Sequence, residues 1–231
     1  MAHDKHIIPP QSLIVSCQAP ADSPLHNPTI IAAMSKAAIN QGAAGIRVDT
    51  PNHVKAVREQ ISQPIIGLWK QQIPGFEVYI TPRFADAVAI AQAGADIIAI
   101  DATLRNRPNG ETLKTLIPKI QQELGKQVMA DVDTLEAAIA AATLGADIVG
   151  TTLYSYTKAT ENCSPPGWEL LEKMVKNLEV PVICEGGIAS PQQAQKAIQF
   201  GADAVVVGTA ITGIDLKVKA YQTALKQREG Q

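Results

Sequence analysis

Aromatic side chains are scarce: Phe, Trp and Tyr together make up 4% of the 231 residues. Broad stacking surfaces for bases or sugar rings are built from such rings, so this composition favours packed strands and small-residue helices instead. Charge is also thin, with Asp, Glu, Lys and Arg at 18% and a net charge of −2. No basic stripe is available to follow a nucleic-acid backbone, and no nucleic-acid partner is expected. Cys17, Cys163 and Cys184 are odd in number and widely spaced. They read as free thiols of a reducing compartment, with Cys17 and Cys184 buried in apolar strands. No apolar run approaches the roughly 20 residues that span a bilayer. The opening MAHDKHIIPPQS lacks the charged-then-apolar pattern of a secretory leader. A cytoplasmic location with no membrane partner is therefore expected. The histidines His3, His6, His26 and His53 avoid strand ends, and no HxH, HxxE or CxxC spacing occurs, so no metal is expected. Neither GxGxxG nor GxxxxGK[ST] is present, and no nucleotide cofactor is expected.

What the chain does have is a repeat. QGAAGIRVDT (41–50), AGADIIAIDA (93–102), LGADIVGTTL (144–153) and FGADAVVVGT (200–209) share a glycine, two small or acidic residues and an apolar run. Each follows an Ala-rich amphipathic stretch, so Gly42, Gly94, Gly145 and Gly201 read as helix-terminating glycines that lead into strands. Four further apolar runs alternate with them, one before each: LIVSC (13–17), PIIGLWK (64–70), QVMADV (127–132) and PVICEG (181–186). Thr50–Pro51, Thr81–Pro82 and Ser190–Pro191 each pair a capping side chain with proline at the first helical position. Asp133 or Thr134 opens another helix. Eight continuous apolar strands alternating with helices imply an α/β fold, a single (β/α)8 TIM barrel with parallel strands inside a ring of helices. The barrel is expected over residues 12–231, after a short extension at residues 1–11.

In such a barrel the chemistry stands at the C-terminal ends of the strands. Those ends carry Gln18, Arg47 with Asp49, Lys70, Asp101, Asp131, Thr151 with Thr152, Glu185, and Gly208 with Thr209. Both signs of charge in one ring suit a small charged or polar ligand. Lys70 ends a run that otherwise reads as buried. Desolvation there would favour its neutral amine, as a proton-abstracting base or a Schiff-base former requires. An ion pair with Asp101 or Asp131 is the structural alternative. EGGI after strand seven and VVVGTAIT after strand eight occupy the loops from which barrels commonly build a phosphate site. Gly186, Gly187 and Gly208 would let backbone N–H groups approach an anion, with Thr209 beside them. The loops after strands four and six, with Arg105 and Arg107 and with Tyr154 and Tyr156, are long enough to close over a ligand. His26, Cys17 and Cys184 are read as structural.

The stretches IVSCQA, GIRVDTP, IIGLWK, YITPRF, ADIIAIDATLRNRP, MADVDTLEAA, GADIVGTTLYSYT, ICEGGIASPQQA and GADAVVVGTAIT carry a resemblance. Along nearly its whole length the chain resembles the N-acylglucosamine-6-phosphate 2-epimerase family, also called N-acetylmannosamine-6-phosphate 2-epimerase. The resemblance implies reversible inversion at C2 of N-acetylmannosamine 6-phosphate, giving N-acetylglucosamine 6-phosphate, without metal or nucleotide, in amino-sugar and sialic acid metabolism. It implies Lys70 and Glu185 as catalytic residues, and Gln18, Arg47 and Asp131 as substrate contacts. It also implies Gly186, Gly187 and Gly208 as phosphate-binding backbone. Neutral Lys70 would take the proton, its ammonium would return one, and Glu185 would relay. The expected partners are a small-molecule sugar phosphate and a second copy of the chain in a homodimer. One departure stands out: after GTAIT the family usually continues with an arginine that reaches the substrate, and here Gly213 and Ile214 follow. Arg105, Arg107 or Arg47 would have to supply that charge. Two other readings stay open, a lyase or aldolase barrel with Lys70 as Schiff base and a non-catalytic sugar-phosphate binder.

Overall fold

The computed structural model describes residues 7–226. Eight parallel strands close in sequence order into a barrel. They are β1 Ser12–Cys17, β2 Gly45–Asp49, β3 Ile65–Leu68, β4 Ile97–Asp101, β5 Gln127–Asp131, β6 Ile148–Gly150, β7 Val182–Glu185 and β8 Ala204–Val207. The helices are α1 Pro28–Asn40, α2 Pro51–Arg58, α3 Phe84–Gln92, α4 Leu113–Leu124, α5 Leu135–Thr143, α6 Trp168–Asn177, α7 Pro191–Gln199, α8 Thr209–Thr212 and α9 Ile214–Lys226. The TIM barrel expected from the alternating pattern is the fold found. No helix among the described residues is long and apolar enough to cross a membrane.

Strand alternation splits the core in two. Ile14, Ile66, Leu68, Ile97, Ala99, Met129, Ile183 and Val206 fill the barrel interior. Their neighbours Val15, Ile65, Ile98, Val128, Val182 and Val205 pack outward against the helices. Ile8 belongs to the interior cluster, so the segment before β1 contributes a side chain to the barrel; residues 1–6, including His3 and His6, lie outside the described residues. Cys17 and Cys184 are buried in the outer layer, and burial pushes their thiols up to about 11 and about 12. Cys163 is exposed.

The repeated acid has a mechanical use. Asp96 accepts the N–H of Ile65 at 2.9 Å, Asp147 that of Val128 at 2.8 Å, and Asp203 that of Val182 at 2.7 Å. Each thus satisfies the donor at or near the start of the preceding strand, at the face opposite the strand ends that carry chemistry. The repeat glycines Gly42, Gly94, Gly145 and Gly201 all have positive φ, as helix-terminating positions require.

Thr50, Thr134 and Ser190 cap α2, α5 and α7 as expected. The start expected at Thr81–Pro82 is corrected: α3 begins at Phe84, behind Arg83. Thr81 is already committed, exchanging backbone and hydroxyl hydrogen bonds with Trp69 at 2.9 and 3.1 Å. Gly67 on β3 faces α3 so closely that an added Cβ would stand 2.5 Å from Ile90 Cγ2 and 2.7 Å from Ala95 Cβ. Gly67→Ala is expected to destabilise the chain by about 1–3 kcal/mol through overpacking, measured by urea denaturation.

Candidate active site

Continuing the inward alternation past the strand ends generates the site. Ser16, Arg47, Asp101, Asp131 and Glu185 sit at inward positions, and two residues beyond inward Ser16, Leu68, Gly150 and Val206 come Gln18, Lys70, Thr152 and Gly208. The register sets neighbours side by side, pairing Ser16 with Arg47 and Asp101 with Asp131. A cavity of about 470 Å³ opens over them.

Arg47 is the hub. The residue is 1% exposed; its guanidinium donates to both Asp131 oxygens at 3.2 and 2.6 Å, and its Nη1 lies 3.4 Å from Met129 Sδ. Its Nε stands 3.1 Å from Glu185 Oε1, but the N–H does not point along that line, so this contact is coulombic rather than a hydrogen bond. Burial alone would lower the Arg47 guanidinium; Asp131 and Glu185 more than reverse this and hold it above its ordinary value. Thr152 Oγ1 donates to Asp131 Oδ1 at 2.7 Å and lies 3.1 Å from Glu185 Oε2. One hydroxyl proton serves one acceptor. With that proton on Asp131, the Thr152 oxygen is left to accept a proton carried by Glu185.

Glu185 is the desolvated acid. Burial pushes its carboxyl up, Arg47 pulls it down, the Asp131 charge raises it again, and the outcome is about 7. Thr151 pins its backbone, accepting the Glu185 N–H at 3.0 Å and donating to the Glu185 carbonyl at 2.8 Å.

Lys70 lines the same cavity but departs from expectation. Its side chain is 46% exposed, because β3 ends at Leu68 and Lys70 lies in an isolated antiparallel bridge to Ile80. Its Nζ donates to Gln18 Oε1 at 2.6 Å, and Gln18 in turn donates to Ser16 Oγ at 3.0 Å. The ion pair is with Asp49, at 4.0 Å, and not with Asp101 or Asp131. The premise of a buried amine is therefore corrected: desolvation falls on Glu185.

Gln18, Gly186, Gly187, Gly208 and Thr209 also line the cavity. Asp131 does not reach its surface; it is fully buried beneath Arg47 and Thr152. Gly186 and Gly187 have φ of +105° and +71°, and a Cβ on Gly187 would stand 2.6 Å from Pro165 Cβ. The loop after β7 thus presses against the loop after β6 in a form only glycine adopts without strain. The helix after Gly208 has only four residues, so little dipole reaches the loop from there.

The two long loops divide. Arg105 turns back to Asp101 Oδ2 at 2.8 Å, and Arg107 is buried on the carbonyls of Thr81, Pro82 and Asp101. Neither faces the cavity, and Arg47 is spent on its carboxylates, so none of the three supplies the charge expected after GTAIT. Tyr156 lines the cavity, whereas Tyr154 packs on Gly167. Tyr79 also lines it and escaped the strand-end reading, because it lies on the loop that doubles back to bridge Lys70. Burial, then Asp131 and Asp101, push its phenol up to about 12, so it stays a hydrogen-bond donor. His26 and His53 pack edge to face at 4.5 Å away from the cavity. No group of three or more His, Cys, Asp or Glu among the described residues is arranged to hold a metal ion.

The fold and these groups together define a TIM-barrel enzyme whose candidate acid–base groups, Glu185 and Lys70, share one cavity at the carboxyl ends of its strands. Residues 31–227 match the family model described as "Putative N-acetylmannosamine-6-phosphate epimerase", and the chain belongs to that family. It is 66% identical over 218 residues, 94% of each chain, to a Synechococcus elongatus protein named "Putative N-acetylmannosamine-6-phosphate 2-epimerase". A relative of the same name in Caldanaerobacter subterraneus is 42% identical, covering 94% of this chain and 92% of its own length. Among solved structures, the N-acetylmannosamine-6-phosphate 2-epimerase from Clostridium perfringens superposes with a TM-score of 0.91 at 39% identity, over 97% of each chain.

Proposed function

We propose that this chain inverts C2 of N-acetylmannosamine 6-phosphate, interconverting it with N-acetylglucosamine 6-phosphate in amino-sugar and sialic acid catabolism in the cytoplasm. The observation that carries this reading is a carboxyl pushed up to about 7 sharing one cavity with a lysine amine, beside two glycine loops. In the open-chain sugar, C2 is adjacent to the C1 carbonyl. One group takes the C2 proton, and the C–H electron pair forms a C1–C2 double bond as the carbonyl π pair moves onto oxygen. The flow then reverses to form the new C2–H bond as the other group returns a proton to the opposite face. A carboxylate of ordinary strength is a poor base for such a proton; one near 7 is a better match to neutral pH.

The roles follow from the placement. Glu185 and Lys70 hold one proton between them, and turnover moves it from one to the other, which leaves the pair set for the reverse reaction. Arg47 and Thr152 orient Glu185, and Asp131 acts through them as a positioning residue. Gln18 holds Lys70 and meets the sugar, and Tyr79 donates to a substrate oxygen. The amides of Gly186, Gly187 and Gly208, with Thr209, grip the phosphate. The half-exposed Lys70, held by Gln18, gives no support to a Schiff-base lyase.

The test is proton NMR at C2 during incubation with N-acetylmannosamine 6-phosphate in D₂O. Deuterium at C2 of the gluco product is expected. Binding without exchange would end the assignment, and substrate-dependent trapping of Lys70 by borohydride would replace it with the lyase reading.

A further inference from the structure

A phosphate monoester brings a charge of about −1.5 to −2 at neutral pH, and the glycine amides that would cradle it carry no net charge. The cations lining the cavity among the described residues are Arg47, Lys70 and Lys217. Arg47 is committed to Asp131 and Glu185, and Lys70 to Gln18. Lys217 makes no hydrogen bond or ion pair through its side chain among the described residues. We infer that Lys217, from the first turns of α9, is the cation that pairs with the substrate phosphate at the glycine loops.

The helix itself points to this. Along α9, Leu216 and Val218 are 52% and 55% exposed, while Lys217 between them is half-buried and turned to the cavity. That inverts the usual partition, in which leucine and valine turn inward and lysine faces water. A cation this close to a helix N-terminus also gains nothing from the helix dipole. Helix stability therefore does not account for the position of Lys217; an anion in the cavity would. The preceding turn cannot provide the charge. A Cβ at Gly213 would stand 2.8 Å from Thr209 Cα and 2.9 Å from its carbonyl oxygen, so a side chain there requires the α8–α9 junction to shift. The nearest carboxylate on α9, Asp215, lines an adjoining pocket and accepts from Ser23 Oγ at 2.9 Å. It does not line the main cavity.

This inference rests on the sugar-phosphate reading of the same cavity, so its test has two arms. Lys217→Met should raise KM for N-acetylmannosamine 6-phosphate about tenfold or more, the scale of a lost hydrogen bond to a charged group. Lys217→Arg should restore most of the loss. KM of the unaltered chain should rise with salt more steeply than that of Lys217→Met. In the second arm, inorganic phosphate is titrated and followed by ³¹P NMR; its affinity should fall in Lys217→Met by a similar factor. KM and phosphate affinity both within twofold of the unaltered chain would overturn the role of Lys217. Should the unaltered chain show no C2 exchange, the epimerase reading fails, and the phosphate titration still decides whether Lys217 binds the anion.

Discussion

Glu185→Gln and Lys70→Met are each expected to lower kcat for C2 inversion by about 10²–10⁴-fold, the range that positioned acid–base groups contribute. Both substitutions keep approximate side-chain volume, so the loss should fall on the chemical step while binding of the phosphorylated sugar survives. A shared-proton pair also fixes the pH profile. In the proposed mechanism the reactive enzyme carries one proton on the pair in either direction, so kcat/KM forward and reverse are expected to follow the same curve. Glu185, raised from the ordinary carboxylate range to about 7, takes up a second proton for the pair as pH falls through that value. Below about 7, kcat/KM should therefore drop roughly tenfold per pH unit in both directions. The substrate's own phosphate titrates near 6, and the residual activity of Glu185→Gln separates the two effects, because it should keep only the limb near 6. An unchanged limb near 7 in Glu185→Gln, or kcat within a few-fold of the unaltered chain for either variant, would remove that residue from the chemistry. Rates measured by coupled assay, with C2 exchange followed by NMR, report both.

Much of this arrangement is legible in the sequence because alternation along a strand is local. From LIVSC, GIRVD, QVMAD and PVICE alone, the inward parity runs through Ser16, Arg47, Asp131 and Glu185. Parity beyond the strand ends reaches Gln18, Lys70 and Thr152. The helix-ending glycines and three of four helix starts are local in the same way. What the sequence conceals is which of several charged groups loses its water. That depends on partners brought across the barrel: Arg47 on β2 meets Asp131 on β5 and Glu185 on β7, residues far apart in the chain. Lys70 reads as buried because the run before it is apolar, yet the strand stops two residues short and the amine emerges. Thr81 reads as a cap until Trp69 claims it from across a loop. Tyr79 and Lys217 reach the cavity from a returning loop and from a helix, where strand parity carries no information.

Arg47→Met is expected to cost about 3–5 kcal/mol of folding stability, the scale for removing one partner of a buried ion pair, as well as activity. The reason is the charge it leaves behind. Asp131 is fully buried and the Glu185 side chain only 13% exposed, so without the guanidinium two carboxylates face each other with the single Thr152 hydroxyl proton between them. The second-largest influence on Glu185 in the native chain is the lowering by Arg47; removing it pushes that carboxyl further up. An acid whose folded value lies above its unfolded one binds more protons when folded, so its burden on stability grows as pH rises from the ordinary carboxylate range through the folded value. The deficit of Arg47→Met should therefore be smaller at pH 5 than at pH 8 in urea denaturation. Adding Asp131→Asn should return a substantial part of the lost stability, since it deletes one of the stranded charges, whereas activity should stay lost because nothing then orients Glu185. Equal deficits at both pH values, or a double variant no more stable than the single one, would mean that Arg47 stabilises the barrel by packing rather than by balancing charge.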